Sequence, residues 1–313
     1  DLAVVAISAT GGSAEVLHAI ERYRGTGRLI AVTNRADSAL AAAADAVCEL
    51  HAGVEVSGVA SRTYRHTHVV LERLVGLVDA DTARTELERA AAATRALFDS
   101  SAEWLEALAE LLLSSAGTHV LAPAERLCSA QQSALMVREL PRRLAVACET
   151  GDWAHVDLYT ARTHDYRAAV FPGSHWDAQA VDWLSRRQAR YAAIGGALDG
   201  AEIVVRYPHD QDARIRPLTE LLPLELVAEV LGRGDRLLGA TVVVLFEHLH
   251  VHRELHVVLD RLVVERSPPG DLVGRARLGA QWLLTKRGLG ASNFFEVGAF
   301  FGTGTGEDYA NMQ

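Results

Sequence analysis

Short apolar, β-branched runs alternate with helical patterns along the first half of the chain. Runs at 2–7, 28–33 and 47–50 have the composition of buried parallel strands. Stretches with helical composition at 13–23 and 38–46 separate these runs. Because strands and helices alternate, the pattern predicts a doubly wound α/β sheet.

The pattern repeats after a mostly helical stretch at 59–117. Further strands are predicted at 118–122, 167–171, 189–194 and 201–207. Further helices are predicted at 126–150, 176–187 and 218–232. The predicted organisation is a first α/β unit (1–80), a helical connection (81–114), a second unit (115–235) and a C-terminal segment of uncertain role (236–313).

Composition narrows the range of partners. The 313 residues are 49% hydrophobic and carry a net charge of −9, which disfavours a nucleic-acid surface because a polyanion needs a basic patch. The sequence shows neither a run of about 18 apolar residues nor a signal peptide, so no membrane partner is expected. The three cysteines are scattered, which favours a reducing, cytoplasmic location over a disulfide framework.

The segment SATGGS, between the first strand and the first helix, concentrates hydroxyl groups and glycines. Its candidate phosphate-binding residues are Ser8, Thr10, Gly11, Gly12 and Ser13. Hydroxyls and backbone N–H groups at a helix N-terminus suit a phosphate dianion, and glycine lets the backbone approach the ligand. On spacing alone, a serine N-cap on a tight turn explains the same residues equally well.

Several segments resemble, in order, the double-SIS (sugar isomerase) family. VAISATGGSAEVL resembles that family's SQSGET phosphate loop, and the continuation to AGVEVSGVAS resembles the next part of its domain. SAQQSALMVRE resembles the family's ALEGALKLKE helix, which places Glu139 on the proton-transferring glutamate. GDWAHVD resembles GELKHGP, which places His155 on the ring-opening histidine. The resemblance covers about residues 1–235 and includes the isomerase domain of glucosamine–fructose-6-phosphate aminotransferase and related deglycases and deaminases.

The resemblance implies two flavodoxin-like, three-layer α/β units and a sugar-phosphate isomerase or an aminosugar-phosphate deaminase. In that interpretation Glu139 moves a proton between C1 and C2, His155 assists ring opening, and Ser61 is a candidate substrate contact. The substrate is a phosphorylated sugar or aminosugar, and no cofactor or metal is needed. The expected assembly is a homodimer in which active-site residues are contributed across the interface.

Departures from the family's pattern keep two rivals open. Ala9 replaces the glutamine of the phosphate loop, and Met136 replaces the lysine before the glutamate. These changes favour a non-catalytic SIS protein that binds a sugar phosphate and regulates a partner; a pure scaffold is the third class. The family's opening strand is not found before residue 2, so either an N-terminal piece lies elsewhere or the Gly-rich tail GAFFGTGTGEDYA supplies the strand.

A histidine cluster lies beyond the second unit. His248, His252 and His256 share one face of a predicted helix at spacings of four residues. A metal site there would need a further ligand that the sequence does not identify. The favoured interpretation is therefore a contact with another helix or subunit.

Overall fold

The structure, a computed structural model, describes residues 2–55 and 59–233. The described residues up to Thr85 form one compact unit, and those from Glu86 onward form a second. The histidine cluster and the Gly-rich tail lie outside the described residues. No described helix combines the length and apolarity needed to cross a membrane.

The first unit is built on sheet A, which has three parallel strands in the order β1-β2-β3. The strands are β1 (Leu2–Ile7), β2 (Gly27–Thr33) and β3 (Ala46–Glu49). Its helices are α1 (Ala14–Glu21), α2 (Ala39–Ala43) and α3 (Ser61–Leu74). The crossovers β1–α1–β2 and β2–α2–β3 advance across the sheet in the same direction. Right-handed connections therefore place α1 and α2 on the same face of the sheet. Helix α3 covers strand β2 and the end of β3 through Val70, which packs with Val32 and Leu50.

The second unit is built on sheet B, whose five parallel strands have the order β5-β4-β6-β7-β8. They are β4 (Thr118–Ala122), β5 (Ala145–Glu149), β6 (Arg167–Val170), β7 (Arg190–Ile194) and β8 (Ile203–Val205). The α/β class and the parallel sheets predicted from the sequence are confirmed. Strand β4 lies between β5 and β6, and all five of its residues are buried.

Helices cover both faces of sheet B. In chain order, the helices from Ala80 onward are α4 (Ala80–Asp99), α5 (Ser101–Leu112), α6 (Leu127–Glu139), α7 (Thr150–Trp153), α8 (Asp177–Arg186), α9 (Arg216–Thr219) and α10 (Leu222–Arg233). The crossovers β4–α6–β5 and β5–α7–β6 run in opposite directions along the sheet, so right-handed connections place α6 and α7 on opposite faces. Helix α10 packs on α5 and α6, whereas α8 packs on α7. The result is a three-layer unit.

One predicted element is wrong in part. The sequence pattern predicts a helix over 126–150, but α6 ends at Glu139 and residues Ala145–Glu149 form strand β5 beside β4. Pro141 explains the break, because it lacks an N–H donor and cannot continue the helical hydrogen bonds beyond Leu140. Arg142 then adopts a positive φ of 53°, which turns the chain back toward the sheet.

Candidate functional site

Residues 8–13, the hydroxyl loop, follow strand β1 at its carboxyl end and lead into helix α1. Gly11 has a φ of +63°, and a Cβ atom there would lie 2.0 Å from the Ser38 hydroxyl oxygen. Only glycine fits at this point. The Leu40 N–H also donates to the Gly11 carbonyl at 2.9 Å, so the loop is packed firmly against the start of α2.

The hydroxyl groups of this loop converge. The Ser8 and Ser13 hydroxyl oxygens lie 3.0 Å apart, and both side chains are buried. The Gly11 N–H donates to the Ser8 hydroxyl at 3.1 Å, and the Gly12 N–H donates to the Thr10 hydroxyl at 3.3 Å. The structure therefore brings together all five phosphate-binding residues predicted from the sequence in one turn.

Ser13 is the N-cap residue of α1, yet its side chain makes no capping hydrogen bond. Its hydroxyl is directed to Ser8 instead. The simple capping interpretation therefore does not describe Ser13, and the side chain leaves the N–H groups of the first helical turn uncapped. Uncapped N–H groups and the helix dipole attract anions, while the exposed Glu15 in the same turn weakens that attraction.

Asn34 connects the loops that follow strands β1 and β3 of sheet A by hydrogen bonds. Its backbone N–H donates to the Ala9 carbonyl at 3.0 Å. Its side-chain oxygen accepts from the Ala52 N–H at 2.7 Å, and its side-chain nitrogen donates to the Gly53 carbonyl at 2.6 Å. Asn34 thus ties the hydroxyl loop and the segment after β3 to the end of β2.

Ser61 is the first residue of α3 and is buried. Glu55 fixes this helix start, because its carboxylate accepts from the Thr63 N–H at 2.6 Å and lies 3.5 Å from the Arg62 guanidinium. A carboxylate at a helix N-terminus is favourable both as a hydrogen-bond acceptor and as a charge. The sequence analysis did not identify this role of Glu55.

His66, five residues further along α3, shows which edge of sheet A this helix starts from. Its Nδ1 lies 2.7 Å from the carbonyl oxygen of Leu50, the residue directly after β3. Helix α3 therefore begins beyond the carboxyl edge of the sheet, and Ser61 lies at the same edge as the hydroxyl loop. Burial lowers the pKa of His66 to about 4, with Arg62 and Arg65 adding to the effect and the bond to Leu50 opposing it.

Glu139, the predicted proton-transfer residue, is the last residue of α6 and is half-buried. Helix α6 starts near the carboxyl end of β4 and runs about 18 Å to Glu139, at 1.5 Å per residue. Met136, one turn earlier, is fully buried. The position of the family's lysine is therefore occupied here by a core side chain.

His155, the predicted ring-opening residue, is exposed and lies just after α7. Its backbone N–H donates to the Asp152 carbonyl at 2.9 Å. Because α6 and α7 cover opposite faces of sheet B, the second unit does not bring His155 and Glu139 together. If the two residues act on one substrate, a second copy of the chain must supply one of them.

Within residues 2–55 and 59–233, no group of three or more His, Cys, Asp or Glu side chains is arranged to hold a metal ion. The predicted groups are hydroxyls, a carboxylate and an imidazole, a set suited to holding a phosphate and moving protons.

Comparisons with known proteins give different results for sequence and for structure. No family model matches the chain. Two oxygen-dependent choline dehydrogenases of Stenotrophomonas maltophilia are 29% and 28% identical over 147 residues. That stretch is 44% of this chain and 23% of each relative, so the chain spans less than a quarter of the length of these curated relatives.

Solved structures match most of the chain. The C-terminal domain of glucosamine-fructose-6-phosphate aminotransferase from Francisella tularensis superposes with a TM-score of 0.60 at 16% identity, covering 74% of this chain and 70% of that one. The chain has the sugar isomerase fold. Tagatose-6-phosphate ketose/aldose isomerase from Escherichia coli matches at a TM-score of 0.55 and 16% identity over 75% of this chain and 69% of its own.

A third match extends the same comparison. Glucosamine-6-phosphate deaminase from Thermotoga maritima has a TM-score of 0.53 at 16% identity and covers 76% of this chain and 73% of its own. The sugar isomerase (SIS) resemblance predicted from the sequence is therefore confirmed at the level of the fold. At these identities, activity has to be argued from the residues themselves.

Proposed function

We propose that the protein converts a phosphorylated sugar, as an aldose–ketose isomerase or an aminosugar-phosphate deaminase. The hydroxyl loop binds the phosphate, Glu139 moves a proton between C1 and C2, and His155 of a second copy assists ring opening. The solved structures that share the fold are named for isomerisation, deamination and amino transfer on sugar phosphates, which supports the substrate class.

The uncapped first turn of α1, beside the Ser8–Ser13 hydroxyl pair, is the observation that carries the proposal. A phosphate dianion accepts hydrogen bonds and cannot donate them. Hydroxyls that donate to one another can rotate to donate to the ligand, and backbone N–H groups need no rearrangement. Gly11 and Asn34 hold this turn in place, so little ordering is needed when the ligand binds.

The proposed chemistry is a proton transfer that leaves the sugar's oxidation level unchanged. His155 transfers the anomeric hydroxyl proton to the ring oxygen as the ring opens. The Glu139 carboxylate then removes a proton from the carbon next to the carbonyl while the carbonyl oxygen gains a proton, which gives an enediol or enolamine. It returns the proton to the neighbouring carbon as the hydroxyl or amino group on the other carbon loses its proton. In the deaminase, water then hydrolyses the resulting imine and ammonia leaves. None of these steps requires a redox partner.

Solvent exchange tests this proposal whichever product the reaction gives. In D2O, a sugar phosphate whose C1 proton (in a ketose) or C2 proton (in an aldose or aminosugar) is removed by the protein incorporates deuterium at carbon, which proton NMR detects. We expect the parent protein to catalyse exchange in fructose 6-phosphate or glucosamine 6-phosphate. Glu139→Gln should slow exchange by at least about 100-fold, the usual contribution of a positioned base.

Glu103→Gln is the matched control, because Glu103 is an exposed carboxylate in the first turn of α5. This variant should exchange at the parental rate. Exchange in Glu139→Gln at the rate of Glu103→Gln would show that Glu139 is not the base.

A sugar-phosphate sensor is the second candidate, and buried Met136 favours it. A core methionine in place of a lysine removes a cation that could stabilise a developing oxyanion. The sensor binds fructose 6-phosphate through the same hydroxyl loop but catalyses no exchange. Binding by calorimetry without deuterium incorporation therefore favours the sensor over the enzyme.

Choline oxidation is not proposed. The matching stretch covers 23% of the choline dehydrogenases, too little of either relative to carry a whole activity. The hydroxyl loop also lacks the G-x-G-x-x-G spacing with which a strand–helix turn holds a dinucleotide.

A further inference from the structure

The carboxyl edge of sheet B carries a cluster of polar side chains that the proposed function does not use. Strands β4 and β6 are neighbours whose crossover connections leave in opposite directions, and such a point in an open α/β sheet is a preferred place for ligands. We call it the arginine crevice and define it by Arg126, Gly173, Asp177, Tyr207, Arg216 and Glu220.

Two guanidinium groups meet at Gly173. This glycine has a φ of +130°, and a Cβ atom there would lie 2.9 Å from a terminal nitrogen of Arg126 and 2.9 Å from one of Arg216. A side chain at this position would occupy the space that both guanidinium groups face. The glycine therefore lets two positive charges approach the same stretch of backbone.

Both arginines are oriented by hydrogen bonds. Arg126 is almost fully buried, pairs with Glu220 and donates to the Pro172 carbonyl. Arg216 donates from Nε to the Asp210 carbonyl at 2.6 Å and from Nη2 to the Gly195 carbonyl at 3.4 Å. Carbonyl groups orient the guanidinium of Arg216 without neutralising its charge.

One buried polar atom of the crevice, the Tyr207 hydroxyl, has no hydrogen-bond partner in the described part of the chain. Asp177 and Glu220 are acceptors that already have partners: the backbone N–H groups of Gly173 and Ser174 for Asp177, and Ser129 for Glu220. Tyr207 is only 6% exposed, and its hydroxyl oxygen lies 2.9 Å from where a Cβ atom of Gly195 would be. Buried polar atoms are normally paired, so an unpaired Tyr207 hydroxyl beside two guanidinium groups indicates a polar ligand.

The electrostatics link these atoms to the arginines. Burial is the main reason that the pKa of Tyr207 is raised; Glu220 adds to the shift, while Arg216 and Arg126 oppose it. Burial also raises the pKa of Asp177, again against both arginines. All three polar groups therefore lie within the electrostatic field of the two guanidinium groups.

The mixture of donors and acceptors determines the ligand class. Two guanidinium groups and a phenol suit an anion, above all a phosphate. The Asp177 and Glu220 carboxylates can accept further hydrogen bonds, which a bare phosphate dianion cannot donate but sugar hydroxyls can. A neutral sugar, conversely, would give the guanidinium groups no anionic partner.

We propose that the arginine crevice is a second binding site for a small polyhydroxylated phosphate, with the phosphate on Arg126 and Arg216 and the hydroxyls on Asp177, Glu220 and Tyr207. It lies in the second unit, whereas the hydroxyl loop belongs to the first, so each chain has two sites. The crevice is independent of Glu139 chemistry and stands whether or not the protein is an enzyme.

Isothermal titration with fructose 6-phosphate tests this proposal. The further variants are made in a background protein that carries both Ser8→Ala and Thr10→Ala, which removes two hydroxyls from the hydroxyl loop. We expect two sites per chain in the parent and one in the background. Adding Arg216→Gln should weaken the remaining site at least about tenfold, the usual loss for a hydrogen bond to a charged group.

Two further variants separate binding from stability. Tyr207→Phe should weaken the remaining site about fivefold and leave the unfolding midpoint unchanged, because the hydroxyl it removes has no protein partner among the described residues. Arg186→Gln removes an exposed arginine of α8 that pairs with Asp182, and it should leave binding unchanged.

Some results would overturn the proposal. It fails if the parent binds one equivalent and the background none, or if Arg216→Gln and Tyr207→Phe bind as well as the background. Inorganic phosphate and fructose should each bind the background at least about tenfold more weakly than fructose 6-phosphate. Equal affinity for inorganic phosphate would refute the role of the sugar hydroxyls. If the parent protein binds fructose 6-phosphate at the arginine crevice but catalyses no deuterium exchange, the result counts only against the proposed enzymatic activity.

Discussion

Sheet A and the β6–β8 part of sheet B share the same strand–helix–strand topology. They differ in the polar groups that lie at the carboxyl edge of the strands. In each, a strand leads through a glycine-containing loop into a helix and on to the adjacent parallel strand: β1–α1–β2 in one unit and β6–α8–β7 in the other. The first loop presents three hydroxyls around Gly11, and the second presents two guanidinium groups at Gly173. The two proposals therefore place an anion at helix amides in one unit and at arginines in the other.

The two glycines also differ in what they face. A Cβ atom at Gly11 would lie 2.4 Å from the Cβ and 2.0 Å from the Oγ of Ser38, whereas one at Gly173 would meet the ends of two long side chains at 2.9 Å. A short side chain anchored at a helix start cannot move away, but guanidinium groups can shift. The hydroxyl loop is therefore expected to tolerate substitution less well than the arginine crevice.

Gly11→Ala should have the largest effect on stability. The added methyl group clashes with Ser38 and the positive φ strains alanine, which together should cost about 4 kcal/mol of unfolding free energy. Urea denaturation followed by circular dichroism measures this cost.

Gly12→Ala is the matched control, because its Cβ would meet only the Thr10 hydroxyl, at 3.8 Å. It should change the unfolding free energy by less than about 0.5 kcal/mol. Equal losses in the two variants would mean that the hydroxyl loop is not packed as described.

Acid should destabilise the first unit through His66. Its folded-state pKa, about 4, lies below the ordinary value of 6.5, so protonation favours the unfolded chain as the pH falls from 6.5 towards 4. Between pH 7 and 4.5 this amounts to about 2 kcal/mol. The pKa of His119, in the second unit, shifts in the same direction, through burial that Asp157 partly offsets.

His66→Asn, which keeps a side-chain N–H donor but does not titrate, should reduce the loss of stability between pH 7 and 4.5 by about 2 kcal/mol. Urea denaturation at the two pH values measures the difference. His18→Gln, at an exposed position of α1, should leave the loss unchanged. If both variants lose as much stability as the parent, His66 does not titrate as a buried group.

The hydrophobic pattern was enough to predict most of the strands, because buried parallel strands are short and apolar. The same criterion failed at Ala145–Glu149, where a run rich in alanine continues a helical pattern and only Pro141 marks the break. The hydroxyl loop was predictable because its residues are contiguous and follow an apolar strand.

The other features depend on contacts between distant parts of the chain. Arg126 and Glu220 pair across 94 positions, and Arg216 reaches Gly173 from a separate helix. Neither pairing leaves a local pattern in the sequence. The separation of Glu139 from His155 follows from the strand order β5-β4-β6, which spacing along the chain does not reveal.

The most direct test of the proposed site mixes two inactive variants. Glu139→Gln and His155→Ala should each lose deuterium exchange on their own. After subunit exchange at equal concentrations, half of the dimers are hybrids with one intact site each, so about a quarter of the parental exchange rate should return. No recovery in verified hybrid dimers would contradict a site assembled from Glu139 of one copy and His155 of the other.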